Sequence, residues 1–357
     1  MPISTRPFNR QAAALALAAA ALLGQPAGAA PNDIGPPERF LEWENNHALA
    51  ASSMQDCDIP PALAAQWDQN LQALARRLAQ TPLTWPTGWV GGLSGFYGRG
   101  GKTGPACKGQ PITGYITYSL WPPGKLKLQP GQTRLKRPPP SGEGNGAREA
   151  IYIDLNQRQG PNPVEWAKGS DGPRLTVGRQ TGTLYGYPVW EDKWMLITPP
   201  QHVPPFIPAT LEQVVKAWVA ARTVEMKKIA DSIPLAEAAK DKRLTEFLAG
   251  QVEGFRKKID KVNQLLDGPA AQRQGPAYIG GNEDVAAQPT GNAQQVWADN
   301  PAYFDPKLPR TALQLIAIDV TYRDLDKPPP TQPDSKALVR QIFDRTDWAA
   351  MAKDVLK

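Results

Sequence analysis

The chain carries two histidines, His47 and His202. Either would have to serve as the base of a hydroxyl or thiol nucleophile, and neither stands at a spacing that supplies partners. Gly92-Leu93-Ser94-Gly95-Phe96 begins like a nucleophile elbow, but that strained turn needs glycine where Phe96 stands. His202 lies in Thr198-Pro199-Pro200-Gln201-His202-Val203-Pro204-Pro205, a proline-stiffened loop in which a structural role outweighs a catalytic one. There is no H-E-x-x-H, so zinc-assisted hydrolysis has no ligand set. Gly142-Glu143-Gly144-Asn145-Gly146 neither follows a strand nor opens a helix, as a dinucleotide fingerprint must. No cofactor and no metal are expected.

Carboxylates can cleave glycosidic bonds without histidine. The candidates are Asp154 on a strand, Glu165 beside Trp166, and Glu191 with Asp192 between Trp190 and Trp194. Hairpin-turn geometry accounts for Glu191 and Asp192 without catalysis, and tryptophan in sheets is usually core. The segment from Trp85 to Gly101 combines glycines with Trp85, Trp89, Phe96 and Tyr97. It is either an aromatic binding loop or a tightly turned strand edge where glycine admits another backbone. A ligand site is sought first there and at Trp190 and Trp194.

The first residues read as an address. Arg6 and Arg10 precede twelve consecutive Ala or Leu residues, Ala12 to Leu23, and no acid occurs before Asp33. A bilayer span needs about 20 apolar residues, so this run is too short to anchor. Gly24 and Pro26 end it, and Ala27-Gly28-Ala29 fits a signal-peptidase site. Residues 1–29 are therefore read as a cleaved signal peptide that leaves Ala30 first, with a periplasmic or secreted product. Cys57 and Cys107, the two cysteines of the chain, then read as a disulfide, because export is to an oxidising compartment. Loop closure between them would stabilise by about 4 kcal/mol.

Removing the leader takes two positive charges from a formal +6 and leaves +4. That excess is small and dispersed, which excludes a nucleic-acid partner. Its densest part, Lys125, Lys127, Arg134, Lys136 and Arg137, lies among prolines and glycines and reads as a solvated loop, with contact to anionic envelope polymers as the weaker reading. No later segment is apolar enough to span a membrane.

The elements that would position these residues fall into segments. Residues 30–80 read as helical, with one helix over Glu38–Asp56 and a second from Pro60, whose Leu63, Trp67, Leu71, Leu74 and Leu78 share a face. Residues 81–200 are rich in Gly, Pro and Trp and read as a mainly antiparallel sheet, with strands over 112–121, 151–155, 174–177 and 183–190 and a hairpin joining Trp190 to Trp194. Residues 201–268 read as a helical hairpin, opened by a Thr210/Gln213 capping box and broken at Pro234. Its second arm, Leu235–Asp267, carries a near-heptad stripe from Leu244 and Phe247 to Val262 and Leu266, suggesting a coiled coil. Within 269–357, residues 268–295 read as a mobile connection. A buried strand at Leu313–Val320 and helices over 335–356, restarting near Thr346, follow. The fold class is α+β.

Phe206 to Gln213, Asn300 to Arg310 with Leu313 to Ile316, and Ile342-Phe343 through Asp347-Trp348 resemble a loose group of uncharacterised secreted bacterial proteins. The resemblance covers the C-terminal half. It implies export and an α+β domain, and transfers no activity or catalytic residue. The sequence thus favours an exported non-enzymatic protein that binds or scaffolds, with an envelope polymer or another periplasmic protein as partner. The alternative is a carboxylate-dependent hydrolase of envelope polysaccharide or peptidoglycan, which needs two acids roughly 5–10 Å apart in a cleft.

Overall fold

The computed structural model describes residues 44–45, 60–97, 111–123, 149–167, 173–281, 283–321 and 333–355. In chain order these form β1 (Glu44–Asn45), α1 (Pro61–Ala79), β2 (Val90–Tyr97), β3 (Gly114–Trp121), β4 (Glu149–Leu155), β5 (Asn162–Pro163), β6 (Leu175–Val177), β7 (Gln180–Leu184), β8 (Tyr187–Trp190), β9 (Trp194–Ile197) and β10 (Phe206–Pro208). Then come α2 (Leu211–Ala230), α3 (Ile233–Ala238), α4 (Lys242–Asn263), α5 (Ala270–Arg273), β11 (Tyr278–Ile279), β12 (Val285–Ala286), β13 (Gln294–Asp299), β14 (Ile316–Asp319), α6 (Pro333–Arg345) and α7 (Trp348–Val355). The class is α+β.

Among the described residues, eight strands form one sheet in the order β1-β2-β3-β4-β14-β9-β8-β7. All its pairings are antiparallel except β1 with β2. Six strands form a second sheet, β12-β11-β13-β6-β5 with β10 beside β13. The first sheet crosses the segment boundaries drawn above, because β14 comes from the C-terminal region and inserts between β4 and β9.

Alternation along the strands gives the first sheet two different faces. On one, Ile116, Tyr118, Ile151, Ile153, Met195, Ile197, Ile316 and Ile318 meet α1, α6 and α7. The helix α1 brings the predicted stripe, with Trp67, Leu71, Leu74 and Leu78 all 0% exposed. Each such side chain contributes about 1.5–3 kcal/mol of transfer free energy. Pro61 occupies the first turn, where a missing N–H costs nothing. On the opposite face, Leu196, Leu315 and Ala317 join Trp190, Phe206 and Tyr303. A third core lies between the second sheet and the arms α2 and α4, around Val214, Val215, Trp218 and Ile259.

The capping box that opens α2 is present: Gln213 N donates to Thr210 Oγ1 at 3.2 Å and Thr210 N donates to Gln213 Oε1 at 3.0 Å. Four expectations need correction. Glu44–Asn45, expected inside a helix, is a strand aligned on Ser94 and Gly95 of β2; sheet pairing overrides weak local helix preference. The rest of that expected helix lies outside the described residues. The second arm of the hairpin is not continuous: Lys240 sits at φ 56 and Asp241 Oδ1 accepts from Leu244 N at 2.9 Å, so a new helix starts there. Its apolar stripe is buried at Ile259 but leaves Leu244 43% and Phe247 61% exposed, so the packing of a sustained coiled coil is absent at the far end. Residues 268–295 are not a bare connection. They supply α5, β11 and β12, and Tyr278 and Ile279 register on both β12 and β13.

Candidate functional site

The structure separates the two aromatic groups singled out from the sequence. Trp89 is 1% exposed and Trp85 half-buried, both packed into the helix-covered face of the first sheet. Trp190, 5% exposed, belongs to the opposite face. There it stands edge-on to Phe206 at 5.2 Å and to Trp297 at 5.0 Å, an arrangement of core aromatics. Trp194 faces Trp190 across the hairpin, is half-buried, and has Lys193 Nζ 5.1 Å from its ring centroid. Phe96 and Tyr97 end β2 in register with Tyr115 and Gly114, and their side chains are outside what is described. Cys57 and Cys107 also lie outside the described residues.

The carboxylate candidates are likewise apart. Asp154 is 7% exposed in mid-sheet, between Tyr115 and Ala317 of the neighbouring strands. Glu165 is exposed in a short 3-10 turn beside the second sheet. Glu191 and Asp192 are both at φ 53 in the β8–β9 turn, closed by Lys193 N donating to Trp190 O at 2.9 Å. Glu191 Oε1 accepts from Arg179 N at 2.6 Å, so it holds the turn onto the approach to β7. His202 makes a ring-nitrogen hydrogen bond with Tyr303 O and stands edge-on to that ring, which ties down the proline loop. Burial pushes the Tyr303 hydroxyl well above its usual range, and it donates to Gln314 O at 2.7 Å.

One candidate, Asp192, does line an open cleft. The cleft has a volume of about 510 Å³ and is bounded by Thr181, Gly182, Thr183 and Leu184 of β7, Val189 of β8, Asp192, Val320, and Arg340 and Asp344 of α6. That volume falls within the roughly 300–1,000 Å³ of ligand-binding clefts. Its walls follow from the local sequence. Tyr185 and Gly186, at φ 52 and 86, make the two-residue turn that folds β7 onto β8. At that turn Tyr185 Oη donates to Asp344 Oδ1 at 2.8 Å, which sets the distance between the β7 hairpin and α6. At the other end Thr181 Oγ1 accepts from Asp192 N at 3.1 Å, and Val320 N donates to Lys193 O at 2.7 Å. The floor of Leu184, Val189 and Val320 is apolar; the rim is two threonines, two carboxylates and one guanidinium. Beside the cleft, burial and then the Asp347 carboxylate raise the Tyr187 hydroxyl above its ordinary value.

No protein-family model, curated protein or solved structure matches this chain.

Function must therefore be argued from the cleft itself. Among the described residues its lining contains no histidine, cysteine or aromatic residue. Among the described residues no group of three His, Cys, Asp or Glu is placed to hold a metal. What the cleft offers is hydrogen bonding, an apolar floor and opposed charges. Sequence reasoning did not select Gly182, Arg340 or Asp344. Gly182 inside a β7 otherwise free of turn signals was the one local sign available; Arg340 and Asp344 reach the strand only through tertiary packing.

Proposed function

We propose that this is an exported protein that acts by binding and not by catalysis, with the cleft between β7 and α6 as its site and an envelope polymer or another protein of the same compartment as its partner. The observation that carries the reading is an open cleft with apolar residues and opposed charges in its lining. Export is supported by the leader-like residues 1–29. No described helix is long and apolar enough to cross a membrane. The carboxylate-dependent hydrolase keeps one observation in its favour, since Asp192 and Asp344 both line the cleft.

The two readings separate in one experiment. The chain from Ala30 onward is incubated with purified peptidoglycan sacculi, and both sedimentation of the protein and release of soluble sugar or peptide fragments are followed. Binding predicts no released fragments at any pH from 4 to 8, whether or not the protein sediments. Fragment release that disappears in Asp192→Asn or Asp344→Asn would replace binding with hydrolysis.

A further inference from the structure

We infer that the cleft takes a short zwitterionic peptide, with its ammonium on Asp192, its free carboxylate on Arg340 and an apolar side chain on Leu184, Val189 and Val320. The inference rests on the binding reading above and names the chemistry of the ligand. Such a peptide can be free in solution or hang as a branch from an envelope polymer, and it presents the same groups in both.

The charges of the lining are Asp192, Asp344 and Arg340. Asp344 accepts from Tyr185 Oη at 2.8 Å, so it is committed to holding the β7–β8 turn against α6. Asp192 and Arg340 take part in no ion pair among the described residues, either with each other or with a neighbour. Lys193, next to Asp192 in the chain, reaches Asp319 instead, at 3.7 Å. The Asp192 backbone is fixed, because its N–H donates to Thr181 Oγ1 at 3.1 Å, while its carboxylate is left for an occupant. Arg340 has Asp344 four residues on, the spacing at which opposite charges on a helix meet, yet the two form no ion pair and Asp344 is held by Tyr185. One anion and one cation thus stand unmatched over one cleft. A purely anionic ligand would meet two carboxylates for one guanidinium, and a neutral sugar would desolvate both charges without pairing either.

The floor and the length agree with a peptide. Val320 is 7% exposed and belongs, with Leu184 and Val189 packed against it, to the helix-covered core of the first sheet. The cleft therefore opens onto apolar surface that a side chain can cover. Asp192 stands at the Thr181 end of β7, and the bond between Tyr185 and Asp344 closes the Leu184 end. Thr181 to Leu184 spans about 10 Å of strand, which about three extended residues match. A volume of about 510 Å³ admits a ligand of that size and no folded partner. Among the described residues the lining has no aromatic ring on which a sugar could stack.

The test titrates the chain from Ala30 onward with the tripeptide alanyl-leucyl-alanine in a calorimeter. Acetylating its amine or amidating its carboxylate should each weaken binding about tenfold, the effect of one charge-assisted contact. Asp192→Asn preserves the turn, because asparagine accepts its positive φ. It should weaken the free tripeptide about tenfold and leave the acetylated one unchanged. Arg340→Gln, at an exposed helix position, should weaken the free tripeptide likewise and leave the amidated one unchanged. A tripeptide that fails to bind at about 10 mM, that ignores both blocks, or whose losses from block and variant simply add would overturn the inference. Sedimentation with sacculi separates the two sources. Sedimentation competed by the tripeptide puts the peptide on the polymer; no sedimentation, or sedimentation the tripeptide does not compete, leaves it free in solution. Sedimentation abolished by Asp192→Asn when the tripeptide does not bind would transfer the ligand to the glycan and keep the binding reading. A cleft that neither tripeptide nor sacculi reach would remove both readings.

Discussion

Replacing Asn156 with alanine should be among the most damaging single changes in this protein. The side chain is 3% exposed and sits at φ 54, where β4 ends. Its Nδ2 donates to Ile112 O and to Ala312 O, each at 2.9 Å. Its Oδ1 accepts from Gln314 N at 2.8 Å and from Leu315 N at 3.2 Å. One amide thus satisfies four buried backbone groups from the approaches to β3 and β14. Alanine would strand all four, at about 1–3 kcal/mol for each group left unsatisfied. A water entering the vacated space could recover up to about three of those bonds. The positive φ, easy for asparagine, adds about 1 kcal/mol against alanine. The expected net loss is about 2–4 kcal/mol with such a water in place and about 5 kcal/mol or more without it, a large share of the roughly 5–15 kcal/mol that holds a folded protein together. Urea denaturation followed by tryptophan fluorescence and far-ultraviolet circular dichroism would measure it as a fall in midpoint at constant slope. A loss below about 1 kcal/mol would refute the reasoning, by showing that strand pairing alone holds these ends.

Three other outcomes are expected. Ile259→Ala, in the α2–α4 core, should cost about 2–4 kcal/mol, whereas Phe247→Ala, 61% exposed at the far end of the same stripe, should change stability by less than about 0.5 kcal/mol; equal costs in urea would restore the continuous coiled coil. The Lys216 ammonium bonded to Glu212 holds that carboxylate below its ordinary range, so its stabilising contribution is present at neutral pH and fades as pH falls through the lowered value; Lys216→Ala should raise the Glu212 midpoint in a carbon-13 NMR titration, and an unmoved midpoint would assign the effect elsewhere. Mass spectrometry of the exported protein should find Ala30 at the N-terminus and Cys57 joined to Cys107, and an intact Met1 with two free thiols would reverse the reading of export.

Much of the local structure could be read from the chain alone, because it depends on short spacings. The four-four-three-four steps from Leu63 to Leu78 make one helical face whatever surrounds them, and all but Leu63 are fully buried. Thr210 and Gln213 close a capping box within one turn. Glu191-Asp192-Lys193 between two apolar runs announces a hairpin, and Trp190 indeed faces Trp194 across it. The strand at Ile316–Asp319 and the helix restart before Trp348 were legible for the same reason. Where a spacing outran its local cause it misled. The stripe through Phe247 and Ile259 looks uniform in sequence, yet only the part facing α2 and the second sheet finds apolar surface to cover it. Short strands such as Tyr278–Ile279 carry too few residues to alternate visibly, and exist because β12 and β13 lie alongside.

The cleft belongs to the tertiary level altogether. Which strands share the first sheet depends on β14 filling the place between β4 and β9, a decision made by residues more than a hundred positions away from both. Tyr185 meets Asp344 across 159 positions of sequence, and Arg340 reaches the same groove only because α6 packs over the sheet face. By itself the sequence determined the α+β class, most of the elements and the leader-like start, since each is set by composition or by neighbours within a few residues. Only the folded structure decided which aromatics are core and which carboxylate faces a cleft, because burial and clefts are properties of packing between segments that no local pattern encodes.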